Sequence, residues 1–157
     1  MKFICPLLVV KDITISRNFY EQVLDQKLKY DFGENVIFEG DFSLHLVEHY
    51  KTLLGNEHDQ IKMKTNNFEL YFETEDLEKM VQKLKNIGIE FIHEIKEQPW
   101  GQRVARFYDP DYHIIEIGES MESVVLRYHR SGMNLQEIGN RTSMPIEFIE
   151  EVLLKKE

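Results

Sequence analysis

Residues 97–119 of the chain read EQPWGQRVARFYDPDYHIIEIGE, and the run HIIEI near their end decides how the fold is interpreted. Ile114, Ile115 and Ile117 predict a strand that is buried in a sheet. Glu116 interrupts this run, and a carboxylate removed from water must reach solvent, gain a partner or take up a proton. Any function proposed for the protein therefore has to account for Glu116.

The composition is that of an ordinary globular domain. The chain has 157 residues, 42% of them hydrophobic and 30% charged, which is enough for one core or two small repeated lobes. No apolar run could span a bilayer, and the N-terminus lacks the small-residue cleavage site of a signal peptide. The net charge of -9 argues against binding to nucleic acid. The single cysteine, Cys5, fits a reducing compartment, so we expect a cytoplasmic protein without nucleic-acid or membrane partners.

One pattern of predicted elements occurs twice along the chain: a strand, a helix and three further strands. In the first half, the apolar run 3–10 precedes Asp12, a helix-capping candidate followed by apolar residues at helical spacing. In the second half, the run 68–74 precedes Asp76, and Gly88 is placed to end the helix. The remaining strands are predicted in KLKYDF, NVIFEG and FSLHLVEH of the first half and in IEFIHEI, QRVARFY and HIIEIGE of the second.

This repeat divides the chain into four segments. We predict a first module over 1–49, a polar linker over 50–66, a second module over 67–119 and a helical C-terminal extension over 120–157.

The C-terminal extension has the apolar spacing of three short helices, the last of which begins at Met144-Pro145. Its stretch GMNLQEIGNRTSMPIEFIEEVLLKK resembles the helix-turn-helix pattern of small DNA-binding modules. However, Glu147, Glu150 and Glu151 lie in the helix that would enter the groove and would repel phosphates. We therefore expect a helical hairpin that packs on the rest of the chain or on a sister subunit.

The repeat, together with WGQRVARFYDPD and HIIEIGE, resembles the vicinal oxygen chelate superfamily. This superfamily holds glyoxalase I, extradiol dioxygenases, bleomycin-binding proteins and fosfomycin-resistance enzymes, and the resemblance covers residues 3–119. It implies an α+β fold of two βαβββ modules whose curved sheets form a cavity, with C-terminal helices added. It also implies a small-molecule substrate or ligand and a homodimer.

Four positions in such proteins, on the first and last strand of each module, can hold one divalent metal. The resemblance places them on Cys5, His45, Glu69 and Glu116. The alternation of side chains along a strand agrees with this assignment for the last three residues, because each lies opposite the apolar face of its strand. A thiolate, an imidazole and two carboxylates can bind zinc, nickel or manganese, although the set matches neither the glyoxalase nor the dioxygenase pattern.

Each of these residues also has an alternative role. Glu116 is either a metal ligand and catalytic base or a carboxylate on the open face of the sheet, solvated or paired with Arg103 or Arg106. His45 is alternatively a hydrogen-bonded histidine of the cavity, and Glu69 a solvated carboxylate. Cys5 is alternatively a small, buried hydrophobic residue.

Further residues are candidates for binding a substrate. Trp100 lies in the loop before a strand, and Tyr71 shares the polar face of its own strand. Arg103 and Arg106 are an odd number of residues apart and should face opposite sides of their strand, and we take Arg103 as the substrate-binding candidate while leaving the choice open. The remaining histidines lack metal-ligand spacing and are predicted to be structural or exposed: His49, His58, His93, His113 and His129.

Tyr112 is a departure from the family, whose DPDG turn has a glycine at this position. A glycine adopts positive φ without strain, whereas tyrosine tolerates it poorly. We therefore expect the hairpin to differ locally or to carry strain.

The resemblance leads to two hypotheses of function from different classes. The first is a glyoxalase-like, metal-dependent lyase or isomerase, in which the metal stabilises an enediolate-type intermediate and Glu116 moves a proton. The second is a metal-free protein that sequesters a hydrophobic or cationic molecule, as bleomycin-binding relatives do. Carboxylates and a tryptophan would then hold the ligand through charge and ring-face attraction: Glu69, Glu73, Glu116 and Trp100.

Overall fold

The computed structural model describes residues 1–55 and 61–155, and these residues form two compact units. The first unit comprises Met1–Glu69 and Tyr108–Ile114, and the second comprises Leu70–Phe107 and Ile115–Glu157. The predicted α+β fold, with two βαβββ modules and C-terminal helices, is confirmed. Residues 56–60 of the predicted linker lie outside the described residues.

The first module forms a four-stranded sheet in the order β1-β4-β3-β2, in which β1 runs parallel to β4. Asp12 begins its helix as predicted, since its carboxylate accepts a hydrogen bond of 3.0 Å from the backbone N–H of Ile15. The helix α1 continues into a π-helical turn at Phe19–Val23. The other elements are β1 Leu7–Val10, α1 Ile13–Asn18, β2 Leu28–Asp31, β3 Asn35–Phe38, β4 Ser43–Leu46 and α2 Val47–Leu53.

Two strands of this sheet are shorter than the sequence pattern predicts. Strand β1 begins at Leu7 because Pro6 has no backbone N–H to give to the ladder, and Cys5 therefore lies before the strand. Strand β4 ends at Leu46, and α2 begins at Val47, inside the stretch predicted to remain extended.

The second module repeats the order of the first, with its strands arranged as β5-β8-β7-β6. Asp76 caps its helix by accepting a hydrogen bond of 2.9 Å from the backbone N–H of Lys79, and Gly88 follows the helix with a φ of 74°. Its elements are β5 Glu69–Thr74, α3 Leu77–Asn86, β6 Phe91–Glu97, β7 Arg103–Tyr108 and β8 Ile114–Glu119.

The C-terminal extension folds into three helices, α4 Met121–Arg130, α5 Leu135–Thr142 and α6 Ile146–Leu154. They pack around a small core of their own: Val124, Val125, Tyr128, Ile138, Ile149 and Val152. Arg127 and Arg141 fasten this bundle within the second unit, the latter through a hydrogen bond of 2.5 Å to Glu97. None of the helices in the two described ranges is long and apolar enough to cross a membrane.

The turn between β7 and β8 belongs to the first unit, where two of its aspartates accept hydrogen bonds from α1 and its surroundings. Asp111 accepts from the backbone N–H of Lys11 at 2.9 Å and from the hydroxyl of Ser16 at 2.8 Å. Asp109 accepts from the hydroxyl of Tyr20 at 2.8 Å. These buried polar contacts fix the turn to the first module.

Tyr112 adopts a φ of 66°, the left-handed conformation that a glycine would take without strain. Its ring lies 5.7 Å from the ring of Tyr108, and the Lys64 ammonium lies 4.8 Å from the centre of the Tyr112 ring. The turn therefore keeps the backbone conformation that the family glycine suggests, and the tyrosine ring gains cation–π contact.

Candidate functional site

His45 lies in the first unit and is 6% exposed. Its Nδ1 is 3.3 Å from the side-chain amide nitrogen of Asn35, and its Nε2 is 2.9 Å from Nδ1 of His49. Because the amide nitrogen is a donor, His45 Nδ1 accepts and Nε2–H donates to His49. Burial, followed by the neighbouring charge of His49, lowers the pKa of His45. Both nitrogens of this buried, neutral imidazole are thus engaged within the module.

Cys5 and Glu69 lie apart from strand interiors in the same unit. The Cys5 sulfur is half-buried and 3.7 Å from the hydroxyl of Ser43. Glu69 is the first residue of β5, and its side chain is exposed. Cys5 thus lies before β1, whereas Glu69 lies in β5 on its exposed side.

Glu116 lies in the second unit and is 7% exposed, between the fully buried Ile115 and Ile117. Its carboxylate oxygen Oε2 forms an ion pair with Nη2 of Arg106 on the neighbouring strand β7. A buried carboxylate needs a partner, and for Glu116 the guanidinium of Arg106 is such a partner.

The four predicted metal ligands are divided between the two units, with Cys5, His45 and Glu69 in the first and Glu116 in the second. Across residues 1–55 and 61–155, no group of three or more His, Cys, Asp or Glu side chains could hold a metal ion. The Glu116 carboxylate already has a cation as its partner, and both imidazole nitrogens of His45 are in hydrogen bonds.

Arg106 also contacts β6, which pairs with β7 on the side away from β8. Its Nη1 is 3.3 Å from Nε2 of His93, and Nδ1 of His93 is 2.7 Å from the backbone carbonyl of Glu94. Because a guanidinium can only donate, Nε2 of His93 accepts, and Nδ1–H donates to the carbonyl. A row of polar side chains thus crosses three strands, from Glu116 through Arg106 to His93.

A second polar row begins at Tyr71 on β5. The side-chain amide of Gln102 donates to the Tyr71 hydroxyl and to the backbone carbonyl of Glu119, both at 2.7 Å. The Tyr71 hydroxyl donates to Glu73 at 2.9 Å. The Trp100 indole N–H donates to the carbonyl oxygen of Gln102 at 3.1 Å. The buried Gln102 therefore orients both Tyr71 and Trp100.

Gly118 on β8 makes room for this second row. A Cβ at this position would lie 3.1 Å from the amide nitrogen of Gln102 and 3.2 Å from Cε2 of Tyr71. The absence of a side chain therefore allows the tyrosine ring to lie against β8, on the face that Glu116 shares.

The electrostatic character of this surface follows from the protonation of Tyr71. Burial, followed by the hydrogen bond to Glu73, raises the pKa of Tyr71 to about 12, and the charge of Glu116 contributes. Tyr71 is therefore neutral at physiological pH. Two carboxylates and one guanidinium remain, from Glu73, Glu116 and Arg106, so the sum of -2 and +1 is a local charge of -1.

Two large rings of this surface are open to solvent: Tyr71 is 45% exposed and Trp100 is 42% exposed. We call the whole surface the acidic-aromatic face and define it by six residues: Tyr71, Glu73, Trp100, Gln102, Arg106 and Glu116.

Arg103 lies on the opposite side of β7. Its guanidinium donates to Glu119 at 2.5 Å and 2.8 Å and to Glu78 of α3 at 2.5 Å. The alternation predicted for the two arginines is thus present, and the one that meets Glu116 is Arg106.

Sequence reasoning did not select His93 or His49, and it considered Gln102 only as one of the glutamines beside Trp100 that could line a cavity. Alternation along β7 carried a usable signal, because it places Gln102 on the same face as Arg106. His49 and His93 had no such signal, since each gains its role from a neighbouring chain segment. His58 lies outside the described residues.

Curated relatives of the chain include a fosfomycin resistance protein, FosX, from Listeria innocua. It is 23% identical over 124 residues, which cover 78% of this chain and 93% of the relative. An uncharacterized protein of Bacillus subtilis, YraH, is 29% identical over 130 residues, covering 74% of this chain and 97% of YraH.

Solved structures share the fold. A protein of unknown function from Agrobacterium tumefaciens is 38% identical, with a TM-score of 0.68, and the match covers 77% of this chain and 95% of that one. A glyoxalase/bleomycin resistance protein/dioxygenase family enzyme from Burkholderia phytofirmans is 17% identical, with a TM-score of 0.66, covering 76% of this chain and 100% of that one. The family model of the glyoxalase-like domain matches residues 3–122. The chain therefore belongs to the glyoxalase-like domain family, within the vicinal oxygen chelate superfamily.

Proposed function

We propose that this protein binds a small cationic, aromatic molecule on the acidic-aromatic face and does not need a metal to do so. The observation that carries the proposal is the ion pair of Glu116 with Arg106 at a position where the resemblance implies a metal ligand. A divalent metal at Glu116 would have to displace the Arg106 guanidinium or share the carboxylate with it, and two cations that share one carboxylate repel each other.

The ligand chemistry is argued from charge and ring exposure. The local charge of -1 favours a cation, and the neutral phenol of Tyr71 adds no further charge to repel or attract a ligand. The exposed rings of Tyr71 and Trp100 offer ring faces to a flat or cationic group.

The test uses the fluorescence of Trp100, which is the single tryptophan of the chain and reports on this face alone. The purified protein would be titrated in EDTA with metal-free bleomycin, a cationic molecule with aromatic rings. Fosfomycin, the anionic compound that appears in the name of the Listeria relative, would be the comparison. We expect saturable quenching by bleomycin and none by fosfomycin.

A pair of charge-neutralising variants locates the binding. Glu73→Gln removes the exposed carboxylate of the face and should weaken bleomycin binding by about tenfold, equivalent to about 1.4 kcal/mol. Glu147→Gln removes a carboxylate from the exposed side of α6 and should leave the affinity unchanged. Equal affinities for both variants, or no quenching by bleomycin at all, would refute the proposal.

A glyoxalase-like, metal-dependent lyase or isomerase that works through an enediolate-type intermediate is the second candidate. The observation in its favour is His45, a buried imidazole whose Nε2 lies 2.9 Å from a second imidazole nitrogen, that of His49. Imidazole nitrogens suit zinc and nickel, and the two histidines would exchange their mutual hydrogen bond for bonds to the metal. Elemental analysis of the purified protein, beside Glu116→Gln and His45→Ala, is the test. Stoichiometric metal that is lost in both variants would favour this candidate.

The homodimer and the cytoplasmic location stay predictions. Light scattering on the purified chain measures the first, since a dimer doubles the mass of 18.8 kDa.

A further inference from the structure

We infer that Arg106 is an internal cation, which occupies Glu116 until a ligand cation displaces it, and that the ligands able to do so are aromatic amidines or guanidines. This inference rests on the proposed function, because it specifies what binds at the acidic-aromatic face. It assigns a role in specificity to Arg106, which touches the carboxylate of Glu116 directly.

The position of Arg106 makes displacement possible. The side chain of Glu116 is 9% exposed, whereas that of Arg106 is 25% exposed. Arg106 is thus the outer partner of the pair, and its long, flexible side chain can move into solvent while Glu116 stays in place. The contact with His93 at 3.3 Å is a weak second anchor, at the long end of hydrogen-bond distances.

The chemistry of the ligand follows from the cation that the carboxylate already holds. A guanidinium is planar and presents parallel N–H groups that match the two oxygens of a carboxylate. A ligand amidinium has the same planar arrangement, so it can replace the Arg106 group at Glu116 without leaving the carboxylate unpaired. An attached aromatic ring would then have the exposed rings of Tyr71 and Trp100 as neighbours.

Competition between the two cations predicts how substitutions change the affinity. With Arg106 present, the face has a charge of -1, and without it the charge is -2, because only Glu73 and Glu116 remain. Removal of the guanidinium therefore takes away the cation that competes for Glu116 and increases the attraction for a ligand cation. If Arg106 instead bound the ligand itself, its removal would weaken binding.

The experiment is a calorimetric titration with benzamidine, a small aromatic amidinium, in EDTA. It compares the wild type with Arg106→Gln, Glu116→Gln and the double variant. We expect Arg106→Gln to bind benzamidine about tenfold more tightly than the wild type. Glu116→Gln and the double variant should both bind more weakly than the wild type, because the carboxylate that receives the amidinium is gone.

The Arg106→Gln variant removes a guanidinium from beside the buried Glu116 and is the variant most at risk of not folding. Arg106→Lys keeps a cation, but a lysine ammonium lacks the planar match to a carboxylate and competes less well. Benzamidine should therefore bind Arg106→Lys more tightly than the wild type and less tightly than Arg106→Gln. Circular dichroism establishes that each variant is folded before titration.

The outcomes separate this inference from the proposed function. If neither Arg106 variant tightens binding while bleomycin still binds in a Glu73-dependent manner, Arg106 is not an internal competitor and the proposed function stands. If benzamidine binds Arg106→Gln tightly and bleomycin does not bind the wild type, the internal cation is supported and the proposed drug-binding function fails. If benzamidine binds none of the proteins, the inference is overturned.

Discussion

The hydroxyl of Tyr20 donates a hydrogen bond of 2.8 Å to the carboxylate of Asp109, and both residues are buried. Asp109 also accepts from the backbone N–H groups of Asp111 and His113 and lies 2.8 Å from Nδ1 of His113. Tyr20 is a full member of this network, since burial first and then the charge of Asp109 raise the pKa of Tyr20 well above its usual value.

We expect Tyr20→Phe to lower the free energy of unfolding by about 2 kcal/mol, because it removes one donor from a buried, charged acceptor. Tyr30→Phe is the matched control, because Tyr30 is 54% exposed, and it should change the free energy by less than about 0.5 kcal/mol. Urea unfolding of both variants measures the difference. Equal effects would mean that the Tyr20 hydroxyl contributes nothing to stability.

The neutral state of His45 predicts a pH dependence of stability. The pKa of His45 is lowered in the folded state, so the unfolded chain binds more protons in the pH window below the ordinary histidine pKa of about 6.5. The contribution of His45 to the free energy of unfolding should therefore be complete above that pH and be lost as the pH drops through the lower pKa of the folded state.

The variant His45→Gln removes this contribution, so its stability should change less than that of the wild type between about pH 7 and about pH 5. His129→Gln, which changes an exposed histidine of α4, should behave as the wild type does. Urea unfolding at both pH values makes the comparison. A wild-type decrease that persists in His45→Gln would contradict the prediction.

Glu73 should control the ionisation of Tyr71. The pKa of Tyr71 is raised to about 12 by burial and then by its hydrogen bond of 2.9 Å to Glu73. Glu73→Gln removes the charge and keeps a similar shape, so it should lower the Tyr71 pKa toward its usual value. NMR titration with labelled tyrosine ring carbons follows this one residue among the seven tyrosines. An unchanged pKa would show that burial alone sets it.

Gly101 should not tolerate a side chain. It has a φ of +84°, and a Cβ would lie 2.4 Å from the Tyr128 hydroxyl. We expect Gly101→Ala to cost about 3 kcal/mol of unfolding free energy, about 1 kcal/mol from the backbone and about 2 kcal/mol from the overlap. Gly132→Ala separates the two, because Gly132 has a φ of +95° and open space around it. Thermal or urea unfolding should show the larger loss for Gly101→Ala only.

The order of the strands and helices was predictable because hydrophobic periodicity and helix caps are local properties. Asp12 and Asp76 cap the helices that follow them, as their positions before apolar-periodic segments indicate. The ends of strands were less predictable. Cys5 falls outside β1 because a proline precedes the strand, although the residues before it are apolar. Likewise α2 begins at Val47, where the backbone changes direction although apolar residues continue.

The partners within the candidate site were harder to predict. Alternation correctly indicated that one of the two arginines of β7 shares a face with Glu116, but not which one. The choice depends on the register between β7 and β8, which a single strand does not contain. The hydrogen bonds of Gln102 to Tyr71 and to Trp100 likewise require the neighbouring strand and loop to be in place.

The turn at Tyr108–Ile114 has a consequence for the order in which the chain matures during synthesis. This turn belongs to the same compact unit as Met1–Glu69, although about forty residues of the second unit are translated between the two segments. A nascent chain that has emerged only as far as Glu69 lacks the acceptors for Ser16 and Tyr20, since both lie in the turn. The first module therefore completes its buried hydrogen bonds only after most of the second has left the ribosome, so the two modules mature together rather than one after the other.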